Sequence, residues 1–175
     1  MSTEQRKYSL WVVPKAEAGG QVQAIVNELA GQNDAPEFTP HLTVVANIMA
    51  SDEELEDVKQ AIERVARSLG SFTITLSGYG YKDEEFRCLY LLAHAPELAE
   101  LYAVASREFP QIATEHFSGM PHMSILYGNF AEEKKLTMIN ELPAEPIDFK
   151  VESLDLYLTN GDVPTWKLES EIPIN

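Results

Sequence analysis

The sequence predicts an α+β protein in which two related lobes, each a mainly antiparallel sheet flanked by helices, enclose a central cleft. Three observations predict it: helical and strand patterns alternate along the chain, hairpin signals separate several strands, and a short motif occurs twice. No linker divides the 175 residues, so we expect a single domain, 1–175, of two intertwined lobes.

The N-terminal third predicts a β-α-β-α order. Residues 8–13 form a strand that Pro14 ends, and 20–31 place apolar residues at helical spacing before Gly31. A strand, "HLTVVANI", follows. Ser51 and Glu54 match a capping box that opens an amphipathic helix reaching about Leu69.

The rest of the chain repeats these patterns. Two strands, "FTITLSGYGY" and "RCLYLLAH", flank the turn "KDEE", and a helix runs over about 96–109. The strand "HMSILYG" precedes a helix over about 131–141, for which Asn129 and Glu132 offer a second capping box. The alternating segments "IDFKVESLDLYLT" and "TWKLESEIPI" surround "NGD", a hairpin signal.

Composition excludes several classes of function. The formal net charge of −15 disfavours long nucleic acids and anionic membranes as partners. The single cysteine, Cys88, permits no internal disulfide and is expected in the core. The polar N-terminus and the short apolar run after it predict neither a signal peptide nor a membrane span, so we expect a cytoplasmic protein, and a monomer.

The repeated motif carries the predicted chemistry. Residues 40–45, "PHLTVV", match 121–126, "PHMSIL", position by position. Alternation along each strand puts His41 with Thr43, and His122 with Ser124, on the face opposite their apolar neighbours. Two imidazoles across one cleft can act as base and acid on a phosphodiester, while the hydroxyls hold its nonbridging oxygens.

Two aromatic residues extend this predicted site. Tyr127 lies three residues beyond Ser124, where its hydroxyl could reach the phosphate or its ring could border the cleft. Trp11 is a candidate surface for stacking of a base. His94 and His116 have no matching context and are expected at the surface or in loops.

The motifs "PHLTVV" and "PHMSILYG", together with "YSLWVVP", resemble those of the two-histidine (2H) phosphoesterase superfamily, and especially its cyclic phosphodiesterase branch from plants and yeast. The resemblance implies cofactor-free, metal-independent opening of a nucleoside 2′,3′-cyclic phosphate or ADP-ribose 1″,2″-cyclic phosphate to a monoester. It also implies that the site residues are His41, Thr43, His122, Ser124 and Tyr127. It does not say which histidine is the base.

Other functions stay open at this point. An RNA-end 2′,3′-cyclic phosphodiesterase or 2′-5′ RNA ligase-like enzyme is the nearest alternative, and a nucleotide-binding module without catalysis is another. A zinc site lacks a second ligand at suitable spacing in either motif. A serine hydrolase lacks the G-x-S-x-G turn.

Overall fold

The computed structural model describes residues 4–111 and 120–175. Its helices are α1 (Ala16–Asn33), α2 (Leu55–Arg67), α3 (Leu98–Glu108) and α4 (Glu132–Glu141). Its strands are β1 (Arg6–Val12), β2 (Leu42–Ala50), β3 (Phe72–Tyr81), β4 (Leu89–His94), β5 (His122–Leu126), β6 (Ile147–Val151), β7 (Ser153–Leu158) and β8 (Lys167–Pro173). The α+β class is therefore confirmed.

The eight strands form one sheet in the order β6-β3-β4-β5-β2-β1-β7-β8, and every neighbouring pair is antiparallel. We call β1, β2, β7 and β8 the first half, and β3 to β6 the second half. Among the described strands, the two halves pair with each other through β2 and β5, where a single residue pair, Leu42 with Met123, is in register. The two predicted sheets are thus continuous across this one pairing.

Helices cover the apolar face of the sheet at the junction of the halves. The α1 helix of the N-terminal segment contacts β5, and α3 contacts β2, so each helix packs on a strand of the opposite half. Leu42 and Val44 on β2, and Met123 and Ile125 on β5, are completely buried. This burial leaves the other side chains of both strands on the opposite face of the sheet.

Of the two predicted capping boxes, the one before α2 is present and the one before α4 is not. At α2, the Glu54 carboxylate accepts from the Ser51 backbone N–H at 2.9 Å, and the Glu54 N–H donates to the Ser51 hydroxyl at 3.4 Å, as predicted. At α4 the second capping box is wrong. The cap is Ala131, without a side-chain bond, and the Glu132 carboxylate instead accepts a hydrogen bond from the Tyr81 hydroxyl.

The segment 147–159, predicted as one strand, is two. β6 pairs with β3 at the edge of the second half, whereas β7 lies between β1 and β8 in the first half. The break falls at Glu152, whose carbonyl accepts from the Ile174 N–H at 2.8 Å. The alternation is interrupted at this point, because Glu152 and Ser153 are consecutive polar residues and the apolar positions change from odd to even numbers. The prediction of one strand overlooked this change of phase.

The two predicted hairpins are present. β3 and β4 pair around the "KDEE" turn, and β7 and β8 pair around "NGD", where Gly161 has a φ of +73°. Cys88 is fully buried, as predicted. None of the helices in the described parts of the chain is both long and apolar enough to cross a membrane.

Candidate active site

A cavity of about 690 Å³ adjoins both repeated motifs, and α3 contributes Leu98, Ala99 and Tyr102 to its wall. The pairing of Leu42 with Met123 sets the two repeated motifs side by side in antiparallel orientation. Residues that flank these two side chains along each strand point away from them, into the cavity. The structure therefore brings all six predicted site residues to one cavity wall: Trp11, His41, Thr43, His122, Ser124 and Tyr127.

Both imidazoles are oriented by the same kind of hydrogen bond. The His41 Nδ1 lies 2.7 Å from the Thr39 carbonyl oxygen, and the His122 Nδ1 lies 3.1 Å from the Met120 carbonyl oxygen. Because a carbonyl only accepts, each Nδ1 carries the proton. In the neutral ring the lone pair is then on Nε2, the atom suited to proton transfer.

Burial lowers the pKa of both histidines. The pKa of His41 falls to about 4, chiefly because the ring is withdrawn from water, with a smaller contribution from repulsion by His122. Burial also lowers the pKa of His122, and the cations Arg87 and Lys82 add to the effect. Both rings are therefore neutral at pH 7 in the free protein, and His122 is the easier of the two to protonate.

The two hydroxyl residues differ in their hydrogen bonds. The Ser124 hydroxyl donates to the Phe86 carbonyl at 2.7 Å, so its proton is engaged. The Thr43 hydroxyl has no partner among the described residues, and its side chain is only partly buried. Thr43 is thus free to donate to a ligand in this state, whereas Ser124 would first have to release the turn that follows β3.

That turn, residues 82–88, forms one rim of the cavity and is held at three points. Besides the Ser124 bond, the Gly128 N–H donates to the Glu85 carbonyl at 2.9 Å. The Lys135 side chain, fully buried on α4, donates to the Lys82 carbonyl at 3.1 Å and pairs with Asp83. The turn is therefore anchored to β5 and α4, although it is short and polar.

Stacking of a base on Trp11 stays a prediction, and the surroundings of the indole do not favour it. Its indole is buried and lies flat against His41, with ring centroids 3.5 Å apart and planes 6° apart. Tyr157 stacks on it as well, at 4.2 Å and 24°. Rings held this close and this nearly parallel occupy both indole faces, so the indole supports the His41 ring.

Tyr127 also serves packing. Its ring stacks on Phe38 with centroids 3.8 Å apart and meets Phe86 edge-on at 5.2 Å. Burial raises the pKa of its phenol, which keeps the hydroxyl protonated. It borders the cavity, as one of the two predicted arrangements requires, and contact with a phosphate stays a prediction.

Sequence reasoning missed many residues that line the cavity, among them Lys7, Asn47, Phe86, Arg87 and Trp166. Phe86 is 52% exposed, and its ring lies 6.3 Å from that of Trp166. A large aromatic residue next to the short acidic turn "KDEE" is expected to be exposed, and this position is the sequence signal that could have indicated Phe86. These two rings, unlike Trp11, have surface available for a base.

The remaining histidines lie outside the cavity or outside the described residues. His94 is exposed, with its Nε2 3.0 Å from the Ser77 carbonyl oxygen, which agrees with the predicted surface role. His116 falls in 112–119, outside the described residues. Within the described ranges, no group of three or more histidine, cysteine, aspartate or glutamate side chains could hold a metal ion.

The duplicated strands, the shared cavity and the two matched imidazoles define a class of protein, the two-histidine phosphoesterases. The model of the 2′-5′ RNA ligase superfamily matches residues 13–163, which is most of the chain. This protein belongs to that superfamily, and the predicted resemblance is confirmed. Membership supports phosphodiester hydrolysis as the general reaction, in agreement with the predicted enzyme class.

Individual relatives agree with this family. The chain is 28% identical over 129 residues to a cyclic phosphodiesterase of Arabidopsis thaliana, covering 73% of this chain and 68% of the relative. Its fold is similar to that of TT0787 of Thermus thermophilus, with a TM-score of 0.68, 16% identity and coverage of 96% and 97% of the two chains. The fold is also similar to that of E. coli LigT complexed with 3′-AMP, with a TM-score of 0.65, 14% identity and coverage of 98% of this chain and 99% of LigT.

Proposed function

We propose that this protein hydrolyses a cyclic phosphodiester, a nucleoside 2′,3′-cyclic phosphate or ADP-ribose 1″,2″-cyclic phosphate, to a phosphomonoester. The observation that carries the proposal is the pair of imidazoles on one cavity wall, each with Nδ1 bonded to a carbonyl two residues before it. A module that only binds nucleotides has no need of two such rings. The cyclic phosphodiesterase from Arabidopsis supports the substrate class.

The reaction needs one proton acceptor and one proton donor. A water oxygen bonds to phosphorus while the bond from phosphorus to one ribose oxygen breaks. The base takes the water proton, the acid gives a proton to the ribose oxygen, and both histidines return to their starting forms by exchange with solvent. Each transfer typically contributes about 10²–10⁴-fold.

The environments of the histidines support one assignment of these roles. His41, with a pKa of about 4, is neutral at pH 7 and acts as the base. His122 is less buried and more easily protonated, so it acts as the acid. The anionic phosphate favours the imidazolium form when it binds beside the ring, which raises the protonated fraction in the complex.

The remaining residues bind and orient the substrate. The Thr43 hydroxyl donates to a nonbridging oxygen, where negative charge grows in the transition state. Ser124 joins it once its bond to the Phe86 carbonyl is exchanged for one to phosphate. The rings of Phe86 and Trp166 receive the base. No cofactor or metal enters this mechanism, and we place the enzyme in the cytoplasm as a monomer that acts on small molecules.

The test is hydrolysis of adenosine 2′,3′-cyclic phosphate in excess chelator. We expect turnover by the wild type, and a loss of about 10²–10⁴-fold in kcat for His41→Ala and for His122→Ala with binding largely retained. His94→Ala, which changes a histidine outside the cavity, is the matched control. Undiminished turnover in either variant would contradict the mechanism, and loss of activity with chelator would favour a metal-dependent one.

A further inference from the structure

The cavity extends well beyond the two motifs, along the first half of the sheet. Lys7 and Ser9 lie on the same face of β1 as Trp11, and all three line the cavity. Lys7 and Trp11 are four residue steps apart along the strand, which corresponds to about 13 Å. A single cyclic phosphate at the histidines leaves this end of the cavity empty.

A bulge in β2 brings a polar side chain to the same end. Tyr8 pairs with Ile48 and Leu10 with Val45, so β2 has one residue more than β1 across this stretch, and Ala46 and Asn47 lie opposite Ser9. Asn47 has a φ of +58°, the left-handed conformation that asparagine tolerates better than most residues. Its side chain is exposed to the cavity, and no described residue bonds to its amide.

The floor between these two residues is also polar. The hydroxyls of Ser9 and Thr159, both buried, lie 3.3 Å apart. The Thr159 N–H donates to the Lys7 carbonyl at 2.8 Å, which fixes the backbone that carries the lysine. These two hydroxyls provide polar groups at this part of the cavity wall.

The charges of the cavity point to an anion. Lys7, Glu84 and Arg87 are the charged residues in its described wall, and Arg87 is paired with Glu84. The Lys7 ammonium has no ion-pair partner in the described ranges, in a chain whose net charge is −15. An unpaired cation and an unbonded amide that line the same cavity offer several donors to a group with several acceptor oxygens.

We propose that Lys7 and Asn47 form a second phosphate-binding subsite, which takes a phosphate on the 5′ side of the ribose whose cyclic phosphate is opened. This inference rests on the proposed function and specifies its substrate: a cyclic phosphate that carries a further phosphate at its 5′ position. Such a molecule spans the cavity from the histidines toward Lys7, whereas an unphosphorylated nucleoside cyclic phosphate does not.

Two substrates that differ by one group test the subsite: adenosine 2′,3′-cyclic phosphate with and without a 5′-phosphate. We expect the wild type to favour the 5′-phosphorylated form by about tenfold or more in kcat/KM, as a charge-assisted contact to phosphate allows. Lys7→Met should bring the ratio of the two kcat/KM values close to one. Asn47→Gly, which keeps the left-handed backbone, should lower the ratio less.

Lys150→Met is the control, because it removes one positive charge from an exposed position outside the cavity and should leave the ratio unchanged. A wild-type ratio near one, or a ratio that Lys7→Met does not lower, would overturn the subsite. Absence of turnover with both substrates would instead reject the proposed hydrolase.

The source of the second phosphate is tested with ADP-ribose 1″,2″-cyclic phosphate and with a dinucleotide that ends in a 2′,3′-cyclic phosphate. Dependence on Lys7 with the first supports a free nucleotide derivative as substrate. Dependence with the second supports the same subsite acting on an RNA end. If Lys7→Met affects neither compound, the subsite is wrong.

Discussion

His41 and His122 occupy equivalent positions in the two halves of the sheet but have different surroundings. Trp11 pairs with Thr43 beside the first histidine, and Tyr90 pairs with Ser124 beside the second. The indole lies flat on His41 at 3.5 Å, whereas the Tyr90 ring is tilted by 60° and lies 5.2 Å from that of His122. The first imidazole is therefore enclosed and the second is partly exposed.

The next strand outward explains the difference between the aromatic neighbours. In the first half, Tyr157 on β7 packs against Trp11 and completes the stack on His41. In the second half, Gly80 on β3 pairs with Tyr90, and a Cβ at Gly80 would come within 2.4 Å of the phenol ring. A repeated backbone thus gives two histidines of unequal pKa, which is what a base and an acid require.

A change of leaving group should produce the largest difference between the activity losses of the two histidine variants. A deoxynucleoside 3′-(p-nitrophenyl phosphate) releases a stable anion that needs no proton. With this substrate we expect the defect of His122→Ala, relative to wild type, to shrink by about 10²-fold or more compared with a cyclic phosphate. The defect of His41→Ala should persist. Measurement of kcat/KM for both substrates checks this, and recovery of His41→Ala instead would reverse the two roles.

The hydroxyl pair should separate activity from stability. Thr43→Val removes a donor that bonds to no described residue, so we expect kcat to fall about 10²-fold while the free energy of unfolding changes by less than about 0.5 kcal/mol. Ser124→Ala also removes the donor to the Phe86 carbonyl, so we expect the free energy of unfolding to fall by about 1 kcal/mol. Urea denaturation beside kcat/KM measures both. Equal stability losses in the two variants would contradict the difference seen between these hydroxyls.

The pH dependence of kcat/KM should show the smallest effect, a change of about tenfold for each pH unit on either side of the maximum. The fraction of neutral His41 rises as the pH passes about 4, and the fraction of protonated His122 falls as the pH rises through a pKa below 6.5. A cyclic phosphate keeps one negative charge throughout this range. We therefore expect kcat/KM to be bell-shaped with its maximum on the acid side of pH 6.5. A maximum above pH 7 would show that the proposed forms are wrong.

Sequence patterns were sufficient for the parts of this protein that depend on neighbouring residues. Period-2 alternation predicted the face that His41 shares with Thr43, and the match of 40–45 to 121–126 placed the second pair. The capping box of Ser51 and Glu54 needed only residues three apart. These features are local, and the tertiary fold agrees with them.

The features that sequence missed depend on residues distant in the chain. Trp11 is covered by Tyr157, and no pattern within β1 shows that β7 will lie beside it. Glu132 bonds to Tyr81 on a strand fifty-one residues earlier, in place of capping its own helix. Asn47 reaches the cavity because of a mismatch in length between two paired strands. Each case is decided by strand pairing, which local propensity does not specify.

The break at Glu152 has a consequence for the order in which the protein can be assembled on the ribosome. All four strands of the second half come from one continuous stretch, Phe72–Val151, and are synthesised before β7 and β8. Until those last two strands emerge, β1 has an unpaired edge and Trp11 lacks the ring that holds it against His41. One histidine can therefore reach its final surroundings while the chain is still growing, and the other only when the C-terminal hairpin has docked.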